Sequence, residues 1–189
     1  MRVQPVTRFE SSRERALELF ADQGFGQVSL RQLASHMGVS TGTLYTHVAG
    51  KEELLFEALE EHYEQLLILV GRCARPGPTI QPTQRLSRMV GMAYRQCPSR
   101  FLLACRERHC LRPGHRTRID SLRRRIADGL RTSLVGDEVD ELAGEILLNL
   151  IEHLPVWLAG QGLPAGEQTS MIETLLQGCL QGLRHEPQQ

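Results

Sequence analysis

Lysine is nearly missing from this 189-residue sequence: 21 of its 22 basic residues are arginine, and the one lysine is Lys51. Net charge is missing too, because 22 basic residues meet 22 acidic ones, so overall charge does not announce a polyanion binder. Aromatic residues are few, with Trp157 the one tryptophan. The longest stretch free of Asp, Glu, Lys, Arg and His, Leu154 to Gly166, contains two prolines and three glycines. A membrane helix needs about 20 mostly apolar residues, so no span is expected. The opening MRVQPVTRFESSRER holds no apolar core of the export-signal kind, which makes a cytoplasmic location the expectation. Cys73, Cys97, Cys105, Cys110 and Cys179 are odd in number and scattered, the usage of free thiols rather than of a disulfide framework. No phosphate-cradling glycine loop, nucleophile elbow or acid–base carboxylate pair is found, so neither an enzyme nor a cofactor is expected.

What is present is a globular composition, 41% apolar and 23% charged, which excludes a disordered chain. The charge is balanced only in sum. Residues 1–51 carry six basic groups and four acids; residues 52–71 carry six acids and no base. Residues 72–131 then hold fifteen arginines against three acids, and 132–189 return to an excess of eight acids. The preference for arginine is what GC-rich coding produces, and the Arg123-Arg124-Arg125 run reads as a solvated face.

Apolar residues recur at helical spacing almost everywhere, and no run alternates as a half-buried strand would. The fold class is therefore all-α. Ser11 with Glu14 and Ser29 with Gln32 each fit a capping box opening a helix, and Gly24 and Gly38 stand where those helices end. Ser40 caps a third, very short helix over residues 41–47. A long helix is expected from Lys51 to about Cys73, its first turn holding Glu52 and Glu53 at the positive end of the dipole. The segment RPGPTIQP, residues 75–82, reads as a loop. Helical patterns return at 83–96, 98–111 and 116–134, with Pro113-Gly114 as a break, and two strongly apolar helices, 137–159 and 167–183, close the chain.

A helix, a tight turn at Gly38 and a second short helix make a helix-turn-helix, whose second helix enters the DNA major groove. Ser40, Thr41 and Thr43 place short hydroxyls at the start of that helix, and Gly42 removes bulk where it would approach bases. Tyr45, His47 and Lys51 add donors around the same end. The stretch Gly24-Phe25, Ser29, Leu33-Ala34, Gly38-Val39-Ser40, Gly42-Thr43-Leu44-Tyr45, His47 and Lys51 resembles the TetR family of transcriptional regulators in residue order and spacing. That family commonly has phenylalanine after the histidine; here Val48 stands there, still an apolar packing residue. The resemblance covers about residues 9–55.

The resemblance implies a helix-turn-helix head at 1–50, joined by the long helix to a helical ligand-binding and dimerisation domain at 51–189. It implies that Tyr45, His47 and Lys51 hold DNA phosphates, that Thr41, Gly42 and Thr43 form the groove-facing turn, and that Arg31 reaches a guanine edge, as a guanidinium can. From the residues alone, Tyr45 fits a core ring as well, and His47 and Arg31 fit solvated surface positions. The function implied is a sequence-specific DNA-binding regulator, a repressor released by a small molecule. The alternatives are an activator, a regulator without a ligand, or a helical protein–protein adaptor. Its partners would be a palindromic double-stranded operator, a small-molecule effector and a second copy of the chain.

The resemblance also puts an effector pocket between about residues 63 and 160, which this sequence would line with leucines, Met89, Met92, Phe101 and Trp157, with Arg95, Arg100 or Arg106 at its rim. The arginine excess there favours an anionic amphiphile. The stripes of the last two helices suit a two-fold four-helix bundle, with Leu147, Ile151, Leu176 and Leu180 at a homodimer interface. Cys105, His109, Cys110 and His115 invite a metal or redox reading, but their spacing is not that of a zinc finger, and apolar lining with surface histidines is the expectation; no metal site is assigned.

Overall fold

The computed structural model describes residues 8–73, 80–136 and 140–184. Among these residues the chain forms nine α-helices and no strand. They are α1 (Arg8–Gln23), α2 (Leu30–Met37), α3 (Thr41–His47), α4 (Lys51–Cys73), α5 (Pro82–Gln96), α6 (Pro98–Arg106), α7 (Pro113–Leu130), α8 (Glu141–Ala159) and α9 (Ala165–Arg184). Most of the expected loop at 75–82 and the expected helix start at 137 lie outside the described residues. Helix α8 opens at Asp140, whose carboxylate accepts the Leu142 N–H at 3.2 Å.

Local chemistry explains the boundaries. At α2 the Ser29 hydroxyl accepts the Gln32 N–H while the Gln32 side chain accepts the Ser29 N–H, satisfying donors that a helix start leaves bare. Gly38 ends α2 at φ 73°, a left-handed cap that a side chain would strain. Pro82, Pro98 and Pro113 each open a helix, where a missing N–H costs nothing. Pro113-Gly114 is thus a start as well as a break. Ser11 is not a cap: α1 begins at Arg8, and Glu14 pairs instead with Arg100 on α6. A charge-assisted bond to a buried guanidinium outcompetes a local cap.

One apolar cluster runs from Ala16 on α1 to Leu180 on α9. Helix α4 contributes Leu54, Leu55, Ala58, Leu59, Tyr63, Leu66 and Val70, all buried. Fully burying such a side chain gives about 1.5–3 kcal/mol, so packing, more than helix propensity, holds this long helix against α7. Helices α7 and α8 meet at Gly144, where an added Cβ would lie 2.4 Å from the Ala127 carbonyl oxygen.

Two expectations change here. Leu147, Ile151 and Leu176 are 0% exposed and Leu180 5%, so all four belong to the core of a single chain and cannot meet a partner. Their helices leave other residues outward: Leu142 and Trp157 on α8, Met171 and Leu175 on α9. Helix α8 is also long and apolar enough to cross a membrane by length and composition, a property that the charge-free stretches of the sequence do not announce. It packs on α6, α7 and α9 and buries Leu147, Leu148, Ile151 and Leu158.

The Arg123 reading changes as well. Arg124 and Arg125 are solvated, but Arg123 turns inward to an ion pair with buried Glu152 and donates to the Tyr63 hydroxyl at 3.3 Å.

Candidate nucleic-acid interface

Helices α1, α2 and α3 share the buried set Ala16, Phe20, Phe25, Val28, Leu33, Met37, Leu44 and Val48. That set fixes which side of α3 faces out. Leu44 packs inward, while Thr41, Gly42, Thr43, Tyr45 and His47 are exposed. Tyr45 is 56% exposed, so it is no core ring. The Ser40 hydroxyl accepts the Thr43 N–H at 3.0 Å and lies 2.8 Å from the Thr43 hydroxyl. Thr46 donates back to the Thr43 carbonyl at 2.7 Å. The outward face is therefore held rigid by its own hydrogen bonds and carries small side chains at its tip.

At Gly42 an added Cβ would meet only the Ser40 Oγ, at 3.7 Å, an ordinary contact. The fold does not require glycine there. Alongside, Arg31 lines a groove of about 580 Å³ with Arg15, Gln23, Ser29 and Gln32. Ser29 and Arg31 are both exposed at the start of α2.

Lys51 departs from expectation. Its ammonium donates to the Phe25 carbonyl at 2.7 Å and the Val28 carbonyl at 2.8 Å, and sits 4.4 Å from the centre of the Phe25 ring. It therefore fastens the start of α4 to the turn before α2. The resemblance, which assigns Lys51 to phosphate, does not foretell that structural duty.

The trihelical arrangement agrees with an independent likeness. Residues 13–58 match the family model described as bacterial regulatory proteins, tetR family. That match assigns the head, and the head alone, to the TetR type. It is 34% identical over 93 residues to the HTH-type transcriptional repressor KstR of Mycolicibacterium smegmatis, a match over 46% of this chain and 45% of that protein. The chain thus matches somewhat under half the length of that curated relative. Across the whole fold it is similar to the TetR-family regulator PfmR of Thermus thermophilus, with a TM-score of 0.76 and 24% identity over 94% of this chain and 99% of that one. It is likewise similar to AibR, solved with isovaleryl coenzyme A and operator DNA: TM-score 0.73, 18% identity, 89% and 97% coverage.

The matched head is joined to the rest of the chain by ion pairs. On α1, Arg13 reaches Glu57 at 3.3 Å and Glu61 at 3.0 Å on α4. Arg100 on α6 pairs with Glu14 and, at 2.9 Å, with Glu61. Burial would lower the Arg100 pKa, but the Glu14 hydrogen bond and the Glu14 and Glu61 charges outweigh it and raise the pKa. Glu57 is pushed up, first by burial and against the pull of Arg13.

The residues expected around an effector are not gathered together. Phe101 is in the core, its ring centroid 4.5 Å from that of His62 and 5.5 Å from that of Tyr94. Met89 is half-buried beside Cys73, and Met92 and Arg95 are exposed on α5. Trp157 borders a separate groove of about 590 Å³ between α6 and α8, with Cys105, Arg106, His153 and Leu154. The pattern missed the interior polar set His62, Tyr63, Arg123 and Glu152; only the single acid in the apolar stripe of α8 hinted at it. His62 is buried with Nε2 unpartnered and is driven down to about 3, first by burial and then by the Arg100 and Arg123 charges.

The cysteine and histidine group also divides. Cys105 donates to the Glu152 carbonyl at 3.5 Å, and burial pushes its thiol up to about 11. His115 stacks on Phe56 at 3.7 Å and meets Glu52 at 3.0 Å. His109 and Cys110 lie together beside Glu107, which accepts the Phe25 N–H at 3.3 Å.

Proposed function

We propose that this protein is a sequence-specific, duplex-DNA-binding transcriptional repressor that acts as a homodimer and is released by a small-molecule effector. The reading divides the chain into a DNA-binding head, residues 1–50, and an effector and dimerisation domain, 51–189. The observation that carries it is the exposed, internally braced α3 face of Thr41, Gly42, Thr43 and Tyr45. Small hydroxyls around a glycine let a helix approach base edges, while the exposed Tyr45 and His47 flank it as donors suited to phosphate oxygens. Arg31 is assigned to a guanine edge and Lys51 to holding the head in place.

The dimer is assigned to the outward residues of the last two helices, Leu142 and Trp157 with Met171 and Leu175. Exposed large apolar side chains on adjacent helices suit a two-fold four-helix contact. Two heads related by a two-fold axis favour a palindromic operator. Isovaleryl coenzyme A on the similarly folded AibR supports an anionic amphiphile, such as an acyl thioester, as effector. Arg100, which ties α6 to α1 and α4, supplies a route by which the effector domain moves the heads. Such a ligand must prefer one head spacing over the other.

The test is capture of fragmented genomic DNA by the full-length protein, followed by gel shift of the retained fragments at two salt concentrations. Retention of a few fragments, weakened steeply by salt, is the expected result. No retention at low salt would leave the adaptor reading instead. Acyl thioesters should then raise the melting temperature and release the fragment, whereas stabilisation by cationic amphiphiles alone would overturn the effector class.

A further inference from the structure

We infer that Glu107, His109 and Cys110 form a binding site for a divalent transition-metal ion of the zinc class, set where the body meets the turn that carries the head. The three donor atoms lie within 4.8 Å of one another. Cys110 Sγ is 3.4 Å from Glu107 Oε2 and 3.4 Å from His109 Nε2. Around tetrahedral zinc, with sulfur at about 2.3 Å and nitrogen or oxygen at about 2.0–2.1 Å, sulfur stands about 3.5 Å from each lighter ligand. Both observed separations are therefore close to edges of that tetrahedron before any ion is present.

The backbone explains the convergence. Residues 108–110 form a single tight turn in which the Cys110 N–H donates to the Glu107 carbonyl at 2.9 Å. In such a turn positions i and i+3 eclipse, which stacks Cys110 over Glu107. His109 is exposed while its two companions are half-buried, so an ion can enter from solvent and keep a water as fourth ligand. A thiolate, an imidazole and a carboxylate favour zinc or cobalt over magnesium or calcium. On binding, the sulfur–metal bond replaces the Cys110 S–H bond and the proton passes to solvent.

A second convergent group argues the point by contrast. Glu52, Glu53 and His115 also bring three donors together, but Arg112 lies among them, 2.8 Å from Glu53 and 3.4 Å from Glu52. That cluster already holds a cation. Among the described residues no guanidinium bridges the Glu107 group; the Lys51 ammonium acts on Cys110 by its charge but is bonded to the Phe25 and Val28 carbonyls, and the Glu107 carboxylate faces two ways: Oε2 toward the sulfur, Oε1 toward the Phe25 N–H. A bound ion would thus pin the turn that also receives Lys51.

The test is titration of the reduced, metal-free full-length protein with Co²⁺ and then Zn²⁺, followed by absorbance. One equivalent of Co²⁺ per chain should bring up a thiolate-to-cobalt charge-transfer band, which Zn²⁺ then bleaches. Cys110→Ser and His109→Ala should lose the band, while Cys105→Ser keeps it. Because His109 is exposed, His109→Ala should melt like the metal-free wild type, and Zn²⁺ should raise the melting temperature of the wild type and of Cys105→Ser but not of His109→Ala. Absence of a one-equivalent step, or a charge-transfer band that survives both Cys110→Ser and His109→Ala, would overturn the site. None of these readings depends on DNA binding.

Discussion

Lys51 on α4 donates to the Phe25 carbonyl oxygen at 2.7 Å while its ammonium rests over the Phe25 ring. One side chain thereby closes the head onto the long helix. Replacing it with methionine keeps the stem and leaves the Phe25 and Val28 carbonyls unbonded. The expected cost is about 1.5–3 kcal/mol, the scale of a hydrogen bond to a charged group, read by urea melting. For the protein that remains folded, the salt dependence of DNA binding should be unchanged. A shallower slope at unaltered stability would return Lys51 to the phosphates.

His62 makes stability pH-dependent. Its folded value is about 3, against an ordinary 6.5, so the native state stays neutral where the unfolded chain takes up a proton. The contribution is fully present above the ordinary value and is lost as pH falls from there toward 3. The slope approaches about 1.4 kcal/mol per pH unit for one proton. His62→Phe, placed between the Tyr63 and Phe101 rings, should flatten the fall in melting temperature between about pH 6 and about pH 4. Carboxylate effects common to both proteins cancel in the difference.

How far the sequence foretold this architecture depends on whether a signal is local. Ser29 with Gln32, Gly38 and the start at Lys51 were all legible, because caps and left-handed glycines act within a few residues. The duty of Lys51 was not, since Phe25 lies 26 residues away and only packing brings it near. Arg123 could not be told from Arg124 and Arg125 in a run of three; it faces inward because Glu152 and Tyr63 are there. On α8, apolar residues occupy every side, so periodicity alone could not say that Leu147 and Ile151 fill the core while Leu142 and Trp157 face out. The α3 face was legible because a seven-residue helix with one buried leucine leaves little choice.

Gly144 tests the α7–α8 contact. A methyl group there would lie 2.4 Å from a backbone oxygen, which cannot rotate away. Gly144→Ala should therefore destabilise by about 1–3 kcal/mol, the usual cost of overpacking, despite alanine's better helix propensity. Calorimetry decides it; a rise in melting temperature would mean the helices separate freely.

Buried and outward leucines predict opposite outcomes for assembly. Leu142→Glu with Met171→Glu should give folded monomers in sedimentation, because both side chains already face solvent in the single chain. Leu176→Glu, at a position with no exposure, should lose helical signal altogether. A double variant that remains dimeric would move the interface elsewhere.

The most direct test of the α3 face as the DNA-reading surface is fluorescence anisotropy of Gly42→Leu against a captured genomic fragment, with the melting temperature measured alongside. A Cβ at Gly42 makes only an ordinary contact with the Ser40 Oγ, and leucine is a better helix former by somewhat under 1 kcal/mol. The account predicts an unchanged or raised melting temperature together with a loss of at least about tenfold, roughly 1.4 kcal/mol, in affinity. Full affinity in a well-folded Gly42→Leu protein would contradict it.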